Sequence, residues 1–269
     1  MPYLQVRNLD FYYETVGDPI APPLLILSGL TDYTSKCDWQ TSVLAEDHFV
    51  ITFDNRGAGR SATPPPGYTV ADMADDAAGI LDALDITRVH VFGFSLGGMI
   101  ALNLVLNHPN RVHRLILGCT TAGGRLAVQP DDKVVAAMTQ PVSTGNRRQD
   151  FFNGIRNSVS DRCMAEQPDL IDSLATIAEE NPQTAAGYAG QIQAVLTHDV
   201  ADRLEEITSP TLVLHGIDDR VIPLENGRLL AANIRGARFI EYPETGHLFF
   251  IEKAREVNTD IRSFLTGVN

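Results

Sequence analysis

At residues 23–29 and 49–54 the chain reads PLLILSG and FVITFD, with apolar side chains at consecutive rather than alternate positions. A strand with one solvated face alternates, so runs of this kind belong to strands covered on both sides, as in a parallel sheet clad with helices. Short apolar runs recur at 89–92, 111–119, 211–216 and 237–242, separated by amphipathic stretches. At 70–84, introduced by Thr69, the residues Met73, Ala77, Ile80, Leu81 and Leu84 repeat at three- and four-residue spacing and predict a helix. Helices are also expected at 39–44, at 99–106, after Pro223 and from about residue 252, and the runs at 4–6 and 11–15 predict an edge hairpin. This order predicts an α/β fold: a mostly parallel central sheet with helices on both faces.

Residues 121–205 break the rhythm, with helical patterns such as DLIDSLATIAEE at 169–180 and no convincing strand. The expected organisation is a core of residues 1–120 and 206–269, with residues 121–205 inserted between two strands as a helical cap. A cap over the carboxyl ends of parallel strands covers the place where open α/β sheets bind ligands. Its apolar residues Met138, Phe151, Phe152, Met164 and Tyr188 suit either a pocket lining or packing between cap helices; packing is preferred, and none is assigned to the site.

With 269 residues, 44% of them hydrophobic, no internal repeat and no Gly/Ser/Pro-rich linker, the chain can bury one large core. A net charge of -13 without a Lys/Arg run argues against nucleic acid and anionic membrane surfaces as partners. The opening MPYLQVRNLD lacks the basic start and apolar run of a signal peptide, and no apolar stretch reaches the length of a membrane span. A cytoplasmic location is expected. Cys37, Cys119 and Cys163, odd in number and widely spaced, predict reduced thiols in packing roles.

Residues 90–104, HVFGFSLGGMIALNL, place Ser95 between glycines where a strand turns into a helix. The apex of such a turn is strained and crowded, so Gly93 and Gly97 suit a nucleophile elbow of the form G-x-S-x-G; a serine that merely caps the helix is the alternative. A hydroxyl becomes a useful nucleophile only beside a base, and the base needs an acid to hold its tautomer. His247, in TGHLFF after the last strand, is the best-placed base. His215 and His90 lie in strands and are read as structural; His48, His108, His113 and His198 lie by turns or helix ends and are expected in solvent. None has metal-ligand spacing, so no metal site is expected. The acid should follow the run at 211–216, where HGIDDRVIP offers Asp218 and Asp219, with Asp219 preferred. Oxyanion donors are expected from the backbone N–H of Leu96, at the positive end of a helix, and of Leu30 in LSGLTD, although 28–30 also reads as an ordinary strand exit. GAGRSA at 57–62 imitates a dinucleotide fingerprint, but TPPPGY follows it and no helix N-terminus is available for a pyrophosphate, so no cofactor is expected.

In SGLTD with Trp39 downstream, FDNRGAGRS, GFSLGG, PTLVLHGIDDRVIP and PETGH, taken in that order, the chain resembles the α/β-hydrolase fold superfamily over almost its whole length. The resemblance implies a triad of Ser95, Asp219 and His247 with Leu30 and Leu96 as oxyanion donors. Within the superfamily the chain looks most similar to 3-oxoadipate enol-lactonases and related small carboxylesterases. It departs in carrying Ser28 where many members have histidine before the oxyanion glycine, and Leu248 and Phe249 where carbon-carbon hydrolases often have tryptophan. The implied activity is cofactor-free hydrolysis of a small carboxylic ester or lactone through an acyl-enzyme. Acyl transfer, perhydrolysis, carbon-carbon hydrolysis and non-catalytic sensing of a small molecule are the alternatives.

Overall fold

Eight strands form one sheet in the order β1-β2-β4-β3-β5-β6-β7-β8: β1 (Tyr3–Val6), β2 (Leu9–Val16), β3 (Pro23–Leu27), β4 (Phe49–Phe53), β5 (Val89–Phe94), β6 (Val112–Gly118), β7 (Thr211–Gly216) and β8 (Arg238–Tyr242). The computed structural model describes residues 2–139, 144–180 and 183–267. The expected core limits at 1 and 269, and residues 140–143 and 181–182 of the expected cap, lie outside them. β1 and β2 pair antiparallel and β2 joins β4 antiparallel, and every other pair is parallel.

The continuous apolar runs have a direct cause in this sheet. Leu25, Leu27, Ile51 and Val91 feed one core, shared with Met73, Ala77, Ile80 and Leu81 of α2 (Val70–Ala83) and the buried face of α3 (Leu96–Asn107). Their neighbours Leu24, Ile26, Val50 and Phe92 feed the other, shared with Leu44 of α1 (Asp38–Leu44) and Val257, Ile261 and Phe264 near the C-terminus. Side chains alternate across a strand, so covering both faces requires an apolar residue at every position. α2 starts where Thr69 and Asp72 form a reciprocal capping box.

Among the described residues, five α-helices run between β6 and β7: α4 (Asp132–Thr139), α5 (Arg147–Ile155), α6 (Asp161–Glu166), α7 (Pro168–Glu180) and α8 (Ala185–Leu196). Among the described residues this segment contains no strand, only an isolated bridge between Gly123 and Asp199. α9 (Leu224–Asn233) follows Pro223, and the expected closing helix is divided at Lys253 into α10 (Phe249–Glu252) and α11 (Ala254–Thr266). β5 is longer than the sequence predicts, because Gly93 still pairs with Leu27 on one side and Leu117 on the other. β3 stops at Leu27, and Ser28 and Gly29 turn away to begin the next loop. Among the described residues no helix is long and apolar enough to cross a membrane.

Candidate active site

Ser95 joins β5 to α3 with φ 54° and ψ -124°, a region that costs a non-glycine residue energy and persists only where the surroundings enforce it. Its N–H donates to Gly118 O at 2.9 Å, and its carbonyl accepts from Gly98 N–H at 3.0 Å and Thr120 Oγ1 at 2.8 Å. The flanking glycines are obligatory. A Cβ on Gly93 would lie 2.2 Å from Gly97 O, and one on Gly97 only 1.9 Å from Leu27 O. The Ser95 side chain makes no capping hydrogen bond to α3, so helix capping does not account for it.

Asp219 and His247 follow β7 and β8 at the same edge of the sheet. Asp219 Oδ1 accepts from the backbone N–H groups of Val221 at 2.8 Å and Ile222 at 2.9 Å, and Oδ2 takes His247 Nδ1 at 2.8 Å. Asp218, the rejected candidate, is exposed. Burial alone would raise the Asp219 carboxyl, but His247 and then His215 outweigh it and bring it down to about 2. Burial disfavours the imidazolium of His247 as well, yet the Asp219 charge and then the Cys119 thiol hold it well above the usual histidine range. The loop carrying His247 is pinned: Glu252 Oε1 accepts Gly246 N–H at 2.9 Å, Glu252 Oε2 accepts Ser160 Oγ–H at 2.6 Å, and Leu248 N–H donates to Ser158 O at 2.8 Å.

The loop at residues 28–32, expected to supply an oxyanion donor, also reaches Ser95. The position of a Cβ on Gly29 is 3.4 Å from Ser95 Cβ. The N–H groups of Leu30 and Leu96 carry no backbone hydrogen bond among the described residues, and both residues line a cavity with Ser95. The loop is braced from the inserted segment. Gln191 of α8, fully buried, accepts Thr31 N–H at 2.9 Å and donates to Arg56 O at 2.9 Å, and Thr31 itself has φ 64°. α8 approaches this closely because a Cβ on Gly187 would lie 2.0 Å from Gly57 O. Ser28, which stands at the departure from the family pattern, is buried and accepts from Asn55 Nδ2 through its carbonyl at 3.1 Å.

Three expectations need correction. His48 and His198 are buried, not solvated: His48 closes a ring contact with His90, and His198 packs against Asn103. Met138, Phe151 and Tyr188 are not confined to packing between helices, since they also line cavities beside Ser95. Cys119 is more than packing, as its thiol lies against His247. His215, expected to be structural, also stands beside the acid: its Nε2 donates to Ile222 O at 2.8 Å and lies 3.3 Å from Asp219 Oδ2. Its place four residues before Asp219, at a strand end, is the signal that could have found it.

Cys119, Asp219 and His247 each present a donor atom within 4.8 Å of the others, formally the donor set of a metal site. A metal would have to break the His247–Asp219 bond and deprotonate a thiol that burial pushes up. These residues are better matched to one another than to an ion.

The alpha/beta hydrolase fold family matches residues 22–254 of this chain. A protein of Caulobacter segnis named "Putative carbamate hydrolase RutD" is 32% identical over 267 residues, covering 95% of this chain and 96% of its own. The poly(3-hydroxyalkanoate) depolymerase of Ectopseudomonas oleovorans is 34% identical over 252 residues, covering 93% of this chain and 86% of its own. Among solved structures, the enol-lactonase from Burkholderia xenovorans LB400 superposes with a TM-score of 0.88 at 25% identity, over 98% of this chain and 100% of that one.

Proposed function

The chain belongs to the alpha/beta hydrolase fold family, and from that premise we propose that it is a serine hydrolase of small carboxylic esters or lactones, with Ser95, Asp219 and His247 as its triad. The observation that carries this reading is the buried 2.8 Å bond from His247 Nδ1 to Asp219, which leaves Nε2 as the nitrogen able to take the Ser95 proton. Ser95 and His247 line one cavity, so a carbonyl seated there meets nucleophile and base together. Attack of Ser95 Oγ on the carbonyl forms a tetrahedral intermediate, whose oxyanion the N–H groups of Leu30 and Leu96 would receive. His247 then passes the proton to the leaving group, and water releases the acyl-enzyme by the same steps in reverse order of roles. Asp219, whose carboxyl His247 and His215 hold below the usual range, stabilises the imidazolium as it forms.

A carbamate is the second reading, supported by the name given to the Caulobacter relative. It presents the same carbonyl to the same serine. The test of both is intact mass after treatment with a fluorophosphonate, followed by turnover of ester, lactone and carbamate panels. One adduct on the native protein and none on Ser95→Ala supports an activated Ser95. An adduct of equal yield on both proteins removes the assignment, and the panel then decides between ester and carbamate.

A further inference from the structure

Two cavities meet at Ser95, and their chemistry differs. The larger, about 470 Å³, is walled by Met99, Val128, Val135, Val195 and Leu196; of its polar side chains, Thr121 and Asn226 are bonded to each other at 2.9 Å, and its carboxylate, Asp199, accepts Ala201 N–H at 3.1 Å. The smaller, about 300 Å³, contains His247 and, beside the apolar Phe94, Phe151 and Phe250, three charged groups: Asp32, Lys36 and Asp150. Leu30, Ser95, Met138 and Val221 belong to both walls.

Resting on the hydrolase reading above, the two cavities can be told apart by the proton. His247 must hand its proton to the departing oxygen, so the leaving group occupies the cavity that contains His247, and the acyl chain occupies the other. Lys36 and Asp32 are paired with each other, one turn apart in sequence. Asp32 Oδ2 would lie 2.8 Å from a Cβ on Gly29, and that same point is 3.4 Å from Ser95 Cβ, so carboxylate and nucleophile flank one glycine. A lysine ammonium has three N–H donors and Asp32 occupies one of them, leaving donor and acceptor capacity side by side. Asp150 is already held by Thr144, from Oγ1 at 2.7 Å and N–H at 2.8 Å. With two carboxylates and one ammonium on its wall, the cavity repels an anionic leaving group.

We propose that the substrate class is an ester with an extended apolar acyl chain and a compact, uncharged leaving group that carries both a hydrogen-bond donor and an acceptor, recognised by the Asp32–Lys36 pair. The acyl cavity takes up each added methylene until it is filled, and the paired charges select a hydroxyl or amide end over an alkyl one.

The test pairs turnover with binding, so that it does not depend on catalysis alone. Esters of 2-hydroxyethanol with acetyl, butanoyl, hexanoyl and octanoyl chains should show kcat/KM rising about fourfold per methylene over the first steps. By calorimetry, N-(2-hydroxyethyl)octanamide should bind the native protein about tenfold more tightly than N-propyloctanamide. In the Asp32→Asn/Lys36→Gln double variant, which leaves no buried charge unpaired, the preference for the hydroxyethyl end should weaken while the acyl-length trend stays. The inference is overturned by a flat or falling acyl series, by equal binding of the two amides, or by faster turnover of an ester whose leaving group carries a carboxylate. Absence of both a fluorophosphonate adduct and ester turnover would instead remove the hydrolase reading, and the amide pair would still decide the polarity of the two cavities.

Discussion

The site is built from two regions made in different ways. The sheet region supplies Ser95, Asp219 and His247 from the ends of β5, β7 and β8, where β5 and β7 are buried along their whole length. The inserted segment, through its loops and through α4 and α8, supplies most of the larger cavity's wall, and α5 lines the smaller one, yet α4 buries only Val134 and α5 only Ile155. Atoms that move protons need fixed distances, and closely packed strand ends with satisfied backbone groups provide them. A wall that only excludes water and admits a chain can be made from loosely packed helices. On the proposed reading, the contrast assigns reaction type and specificity to separate parts of one chain.

The largest effect expected on the sheet side is that of Ser95→Ala, which should lower kcat by as much as about a million-fold if the three residues act as a unit; burst and steady-state kinetics on the best ester measure it. Asp219→Asn should cost about ten-thousand-fold. It should also move the acidic limb of the kcat/KM profile downward, since Asp219 is what lifts His247 above its usual range. An unmoved limb would separate Asp219 from His247 function.

Acid tests both regions at once. His90 in β5, depressed by burial and by His113 and His48, and His198 in the inserted segment, depressed by burial, are each held at about 4. Unfolded histidine titrates near 6.5, so between about 6.5 and 4 the unfolded chain binds protons that the folded one refuses. Stability is therefore complete above this window and falls as pH drops through it, by on the order of 3 kcal/mol at most for His198. Urea midpoints at several pH values, with His90→Gln and His198→Gln compared, give each region's share.

The smallest effect concerns the link between the regions. Gln191→Leu leaves Thr31 N–H and Arg56 O without their partner, and should lower kcat roughly tenfold to a hundredfold with little change in KM, because the oxyanion loop loses its brace. A loss of thermal stability with kcat intact would show that the inserted helices shelter the site without aligning it.

The sheet order of chemistry was legible because its signals are local. The runs at 23–27 and 49–53 declare burial on both faces, and Gly93, Ser95 and Gly97 declare an elbow within five residues. Gln191 was not legible, because its partner Thr31 is 160 positions away and a glutamine in an amphipathic helix has no local mark of burial. Cys119 reads as a packing residue and His215 as a structural one, because their relation to Asp219 and His247 exists only once β6, β7 and β8 are side by side. His48 and His198 are buried against expectation for a related reason: a turn in sequence is not always a turn in solvent.

The strand order has a consequence during synthesis. β6, whose residues 115–117 are fully buried in the finished protein, gains its second neighbour only when β7 arrives, after residues 119–210 have been made. Until then the growing chain presents an apolar strand edge, a template for adhesion to other chains. A polypeptide stopped at residue 205 should therefore collect in the insoluble fraction when expressed, and co-expression of a holdase chaperone should relieve it. A soluble, monomeric product would mean that the helices after β6 shield its edge before β7 is available.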